Sequence, residues 1–248
     1  MGKINYFDIL IIFLSTIIFI FILLPILNLL INHGDFSYID EEVLDAFKTT
    51  FLAGFVATFI ALIFGIPTGY FLARYNFKFK SVFEALIDIP IAIPHSVIGI
   101  MLLLLIYGIN FFKLLGNYIV DNFWGIVLVY LFVGIPFMVN SIRDGFLSVD
   151  EELEYVSRTL GASKIKTFFN VSLPLIKNNI VSGCILCFAR GISEVGAILI
   201  IAYYPKTIPV LIYERFINFG LPASKPIAAC MILVSILLFA ILRGITKR

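Results

Sequence analysis

Arg190 and Glu194 stand four residues apart in the middle of an apolar run, within FARGISEVGA from Phe188 to Ala197, with Ser193 between them. That spacing puts two side chains on one helical face, where opposite charges can pair. Charges are costly in hydrocarbon and normally face the interior of a helix bundle, paired or wet. The residues are read either as a polar element of a translocation path or gate, or as a structural ion pair between helices. A second polar intrusion is Asp88, in IDIPIAIPHSVIGIMLL from Ile87 to Leu103, followed by Pro90 and Pro94. Two prolines free carbonyls that need partners inside the protein, so this segment is expected to bend and to line an interface or pathway. Asp88 taken alone reads as a carboxylate snorkelling near a cytoplasmic helix end. His95 has no second histidine or cysteine at metal-binding spacing and reads as a packed or water-facing polar residue. Cys184 and Cys187 form a C-x-x-C with no thioredoxin-like turn around it, and read as buried small residues. No nucleophile–base or metal constellation points to an enzyme, and no cofactor is called for. The absence of G-x-x-x-x-G-K-[ST] means that ATP is not bound here in the P-loop manner.

The elements that must hold these residues are membrane helices. The chain is 61% hydrophobic and 14% charged, with mean hydropathy +1.06, against roughly 45–50% apolar for a soluble domain. The expectation is an all-α polytopic membrane protein, one transmembrane domain over residues 1–248, with six helices at about 9–31, 49–73, 83–110, 123–142, 178–202 and 226–242. The first run is too long for the roughly 7–15-residue core of a signal peptide and is retained as a span. The polar segment after it carries Asp35, Asp40, Glu41, Glu42 and Asp45, and its acids before Val43 suit a short amphipathic approach to the second helix. Ala53, Ala57, Ala61, Gly65 and Gly69 recur every four residues along that helix, a stripe that lets another backbone approach. Pro67 is expected to interrupt or kink its last turns. Gly183, Cys187 and Gly191 give the fifth span a similar stripe. Tyr203 to Lys225 reads as an aromatic, proline-bearing interfacial loop.

With the N-terminus inside, the cytoplasmic basic residues are Lys3, Arg74, Lys78, Lys80, Arg143, Arg158, Lys164, Lys166, Lys177, Arg243, Lys247 and Arg248, twelve in all. Only Lys48, Lys113, Lys206, Arg215 and Lys225, five, lie outside. That asymmetry places both termini in the cytoplasm. The net charge of +2 is small and its basic residues dispersed, which excludes a nucleic-acid partner.

The polar loop 149–175 is then cytoplasmic. Acids early and bases late between Glu151 and Lys166 suit a helix dipole, with Asp150 or Ser148 as cap. Gly161 suits a helix end, and Pro174 the start of the next span. The spacing predicts a short helix, a glycine turn and a second short helix along the membrane face.

RTLGASKIKTFFNVSLP, from Arg158 to Pro174, resembles the EAA loop of ABC importer permeases, whose pattern is E-A-A, three residues, G, nine residues, I-x-L-P. Gly161, Val171, Leu173 and Pro174 fall on the pattern. Tyr155, Val156 and Ser157 stand where the family has Glu-Ala-Ala, and Glu154 is one position early. FARGISEVGA and IDIPIAIPHSVIGIMLL resemble stretches of molybdate and tungstate permeases, and YYPKTIPVLIYERF from Tyr203 to Phe216 is most like their archaeal branch. The resemblance implies a type I importer permease, multi-pass in a prokaryotic cell membrane and homodimeric. Its implied partners are two copies of an ABC ATPase subunit and an extracytoplasmic oxyanion-binding protein. It implies ATPase coupling through Glu152, Glu154, Tyr155, Arg158, Thr159, Leu160, Gly161, Ala162, Ser163 and Lys166. Asp88, Pro90, Pro94, Arg190, Ser193 and Glu194 are the residues expected at the pathway or gate. A sulfate or other anion permease is the near alternative, and a secondary transporter relaying protons through Arg190 and Glu194 the distant one.

Overall fold

The computed structural model describes residues 5–33 and 39–246; Lys3, Asp35, Lys247 and Arg248 lie outside the described residues. In hydrocarbon every backbone N–H and C=O must find a partner within the chain, a demand that a helix meets by itself. All regular structure among the described residues is accordingly helical. In order, the elements are α1 (Tyr6–His33), α2 (Glu41–Arg74), α3 (Lys80–Ala92), α4 (His95–Gly108), the short α5 (Asn110–Lys113) and α6 (Gly116–Ile119), and α7 (Phe123–Ser148). There follow α8 (Glu151–Thr159), α9 (Lys164–Thr167), a π-helical turn Phe168–Ser172 running into α10 (Leu173–Leu175), α11 (Lys177–Ile192), α12 (Ile198–Ile201), α13 (Ile208–Phe219) and α14 (Leu221–Thr246). By length and composition α1, α2, α7 and α14 can each cross a membrane, and two bent pairs raise the number to six.

The core is α2 against α7, with α11 packed on both. Ala53, Ala57, Ala61, Gly65 and Gly69 are all buried. A methyl group on Gly65 would lie 2.7 Å from Met138 Cγ, and one on Gly69 2.6 Å from Ile142 Cγ2 and 3.0 Å from the Arg143 backbone nitrogen. The small face of α11 meets α7 in the same way: a Cβ at Gly134 would sit 2.6 Å from Cys187 Sγ, and one at Gly191 3.1 Å from Tyr130 Cβ. Lipid tails are as apolar as leucine, so helices associate through dispersion at such close approaches rather than by escaping water.

One expectation is borne out and three need correction. The segment 83–110 bends as expected, into two helices at 115° about Ile93–Pro94, because Pro94 removes a donor and forces Ile93 into extended backbone (φ −76°, ψ 135°). Pro67 does not interrupt α2, which continues to Arg74; one missing N–H is tolerated in a helix whose flanks are packed. The fifth span stops at Ile192 instead of running on to 202, and helix resumes only at Ile198; the break holds Glu194, whose carboxylate takes up a backbone N–H that continued helix would have used. Finally, 203–225 is not a loop, since α13 occupies Ile208–Phe219 and buries Ile208, Val210 and Leu211. Pro209 lies in the first turn of that helix, where proline is least disruptive, and Gly220 ends it with φ 75°.

Polar groups fasten α13 to the start of α2. Arg215 pairs with Asp40 and with Glu42 (3.1 Å), while Lys206 Nζ bonds Glu42 and Glu214, each at 2.8 Å. Partial burial works to raise the Glu214 carboxyl, but hydrogen bonds from Lys206 and Tyr203 outweigh it and hold the group below its ordinary value.

Replacing Gly69 by valine is expected to lower stability by roughly 1–3 kcal/mol through overpacking. Gly108→Ala, where a Cβ meets nothing within 4 Å, is the control. Thermal denaturation of the detergent-solubilised protein should separate the two, the first midpoint falling and the second holding.

Candidate functional site

Two helix breaks meet inside the bundle. The α3–α4 elbow presents His95, and the α11–α12 break presents Ser193 to Ala197. They touch backbone to backbone: a Cβ on Gly196 would lie 2.9 Å from His95 Cβ and 3.3 Å from the Ser96 nitrogen, and one on Gly99 3.0 Å from the Ala197 carbonyl oxygen. Glycine at both positions allows that approach.

Glu194 lies at the crossing with its side chain 0% exposed. Its Oε2 accepts from Arg190 Nη1 at 3.1 Å and lies 3.0 Å from His95 Nδ1, and its Oε1 accepts from the Ala197 backbone nitrogen at 3.1 Å. Arg190 Nη2 lies 2.8 Å from His95 Nε2. A guanidinium can only donate, so Nε2 must accept. The ring proton then sits on Nδ1 and is donated to Glu194. The three side chains close a ring in which each is bonded to the other two. Such partners are what a fully buried carboxylate requires, because an unpaired one would cost several kcal/mol, on the order of 3–5. His95 remains 49% exposed and Arg190 19%, so the ring has one edge that the chain itself leaves uncovered. Ser193 is exposed beside it, its hydroxyl donating to the Arg190 carbonyl at 3.0 Å.

The structure therefore joins Arg190 and Glu194 as their spacing implied, sets Ser193 beside them through the Arg190 carbonyl, and adds His95, to which the sequence reading gave no partner. Nothing in residue spacing marks a side chain 95 positions from Arg190; its place just after Pro94, at the elbow of a bent span, was the available signal. Asp88 is not in this ring. It accepts from Asn140 Nδ2 at 2.7 Å and, with Arg143 Nη1 3.7 Å from Glu84, ties α3 to α7. Pro90 is buried on α3, and Pro94 caps α4.

The second site is the hairpin between α7 and α11. Asp150 caps α8 by accepting from the Glu152 nitrogen (2.9 Å), and Ser163 caps α9 by accepting from that of Lys166 (3.3 Å). Between them Gly161 adopts φ 91°, a backbone conformation that L side chains rarely take. The Gly161 and Ala162 nitrogens donate back to the Arg158 and Ser157 carbonyls at 3.0 and 3.2 Å, which satisfies the end of α8. Ser157 and Thr167 hydroxyls, 3.1 Å apart, close the two limbs. Glu152, Tyr155, Arg158, Thr159, Leu160, Gly161, Ser163 and Lys166 are exposed and Ala162 is half-buried; Leu160, at 84%, projects furthest among the apolar ones named here. Leu153, Val156, Leu160 and Val171 line an open groove of about 440 Å³ between the limbs.

Glu154 behaves differently from its neighbours. It turns toward α2, where Arg74 Nε donates to Oε1 and the Tyr70 hydroxyl to Oε2, each at 3.0 Å. The Tyr70 ring is in turn set edge-on against Phe146 and Phe168, both with centroids at 5.0 Å.

Residues 65–248 match the family model described as binding-protein-dependent transport system inner membrane component. The chain is 73% identical over 238 residues, 96% of each chain, to the molybdate/tungstate transport system permease protein WtpB of Methanocaldococcus jannaschii. It is 28% identical over 243 residues to the sulfate transport system permease protein CysT of Salmonella typhimurium, covering 92% of this chain and 87% of that one. Among solved structures, the MetNI methionine ABC transporter in inward facing conformations shares the fold, with TM-score 0.66 and 15% identity over 90% of this chain and 97% of that chain.

Glu194→Ala is expected to destabilise the protein by about 3–5 kcal/mol, because Arg190 and the Ala197 nitrogen both lose their acceptor. Glu194→Gln should cost less, and His95→Ala least, since that ring is half exposed. Unfolding midpoints in detergent check the order.

Proposed function

The chain belongs to the family of binding-protein-dependent transport system inner membrane components, a membrane-embedded permease subunit of an ABC importer, and from that premise we propose that it carries tungstate and molybdate into the cell. In this reading the whole chain is one transmembrane permease domain, two copies form the pathway, an extracytoplasmic binding protein delivers the oxyanion, and two copies of a separate subunit hydrolyse ATP. The anion is inferred from the 73% identity to the Methanocaldococcus permease along almost the entire chain; identity to the sulfate permease is 28%.

The observation that carries the coupling half of the proposal is the exposed α8–Gly161–α9 hairpin. It presents Glu152, Tyr155, Arg158, Thr159, Leu160 and the turn through Ala162 and Ser163 to Lys166, away from the membrane core, on the face that the basic residues place in the cytoplasm. Docked in a groove of the ATPase subunit, it acts as a lever. Closure of the ATPase pair moves the hairpins and rocks the two permeases between inward-open and outward-open states, with the energy carried by contacts that differ between those states. Along the pathway, Arg190 and Ser193 at the uncovered edge of the ring offer a passing tetrahedral dianion a transient positive and hydrogen-bonding surface. Glu194 and His95 hold the guanidinium in place and offset its charge, which keeps any stop there brief. The elbow formed by Asp88, Pro90 and Pro94 frames the same passage.

In proteoliposomes containing the permease, its ATPase and its binding protein, ATP-driven uptake of radiolabelled tungstate should be suppressed by excess molybdate and left intact by equal sulfate. Suppression by sulfate alone would turn the assignment to sulfate, and uptake driven by a pH gradient without ATP would remove the ABC reading. Gly161→Val forces a branched residue into a left-handed conformation at about 1–2 kcal/mol or more. Transport should fall about tenfold or further while the helical circular dichroism holds.

A further inference from the structure

Glu154 lies in the hairpin expected to contact an ATPase, yet both of its carboxylate oxygens are turned inward and engaged by the chain itself. Oε1 takes Arg74 Nε and Oε2 takes the Tyr70 hydroxyl. The guanidinium is equally committed: Nη2 donates to the Val149 carbonyl at 3.1 Å, and Nη1 stands 3.8 Å from Glu151 Oε1. The pair is enclosed, with side chains 7% exposed for Arg74 and 13% for Glu154. Lys48 and Asp45, 77% and 73% exposed, show the contrast: a pair in water is screened and yields readily, whereas separating an enclosed one strands a charge.

The position of the pair gives it a task. Arg74 is the last residue of α2, the helix whose small stripe seats it on α7 and α11, and α11 carries Arg190 toward Glu194. Helix α8 joins this body along the chain at both ends, through the extended residues Val149 and Asp150 into α7 and through the Gly161 turn and α9 toward α11, where Ser157 and Thr167 close the limbs. Its polar tie to α2 is Glu154, held by Arg74 and Tyr70. An extended two-residue link bends, while the two hydrogen bonds on the Arg74 guanidinium, to Glu154 and to the Val149 carbonyl, fix both distance and direction.

We propose that Glu154 and Arg74 are positioning residues that form a rigid strut, converting displacement of α8 into displacement of α2, and that Glu154 is not a contact for the docking subunit. The strut matters only if a separate ATPase drives the chain, as proposed above, so its test must stand apart from that premise.

The complete complex, reconstituted with ATPase and tungstate-loaded binding protein, gives two quantities: the stimulation of ATP hydrolysis by the loaded binding protein, and tungstate imported per ATP. In Arg74→Gln the ATPase subunits should co-purify as in the wild type while both quantities fall about tenfold, within the usual range of coupling between sites. Tyr70→Phe should lower them less. The reversed pair Arg74→Glu with Glu154→Arg should recover much of the loss, which a mere space-filling role would not. Wild-type coupling in Arg74→Gln overturns the strut, and so does loss of ATPase co-purification in Glu154→Gln, which would put Glu154 in the docking surface. Hydrogen exchange of the α8 amides, read without substrate or ATP, should speed up in Arg74→Gln. Unchanged exchange refutes the strut whatever the transported anion, whereas a wild type that ignores tungstate refutes only the proposed function.

Discussion

Inside a bilayer there is no water to be released when two helices meet, so the attraction that remains is contact between atoms. This constraint shapes the bundle. Gly65 and Gly69 of α2, Gly134 of α7 and Gly191 of α11 leave gaps into which Met138, Ile142, Cys187 and Tyr130 fit. With three backbones drawn this close, α2, α7 and α11 form a body stiff enough to carry two irregular features, the crossed helix breaks and the cytoplasmic hairpin. Larger residues at those glycines would push the helices apart before any polar contact could form.

The crossed breaks show how irregular backbone survives at membrane depth. Freed backbone groups cannot be left bare in lipid. Glu194 supplies an acceptor for the Ala197 nitrogen and draws in Arg190 and His95, so a single buried carboxylate both satisfies the break and gathers the polar groups. The charge that holds the elbow against the break also offsets the Arg190 guanidinium.

Features that depend on near neighbours in the chain were legible in the sequence. The stripe from Ala53 to Gly69 is buried as its spacing of four implied, the Pro90–Pro94 segment bends, Asp150 caps α8, and Gly161 makes the turn. Features that depend on tertiary partners were not. Hydropathy saw Asn178 to Ala202 as one apolar run, because a single carboxylate barely lowers the average even when it ends the helix. Helix α13 was hidden by Pro209 and by aromatic residues that suit an interface as well as a helix face. His95 gained its role from two residues almost a hundred positions away, and Glu154 from Arg74 and Tyr70, eighty or more residues earlier.

The displacement of the acid from position 155 to 154 has a geometric meaning. One residue along an α-helix is a rotation of about 100°, enough to carry a carboxylate from the outer face of α8 to the face that looks at α2. Tyr155 is left outside, 56% exposed, with the Arg158 guanidinium 5.9 Å from its ring centroid. The outer face of α8 therefore shows a phenol and a positive charge at the position where the acid would otherwise stand. The offset thus divides α8 into two faces, one carrying a phenol beside a guanidinium and the other spending its carboxylate on the chain's own α2.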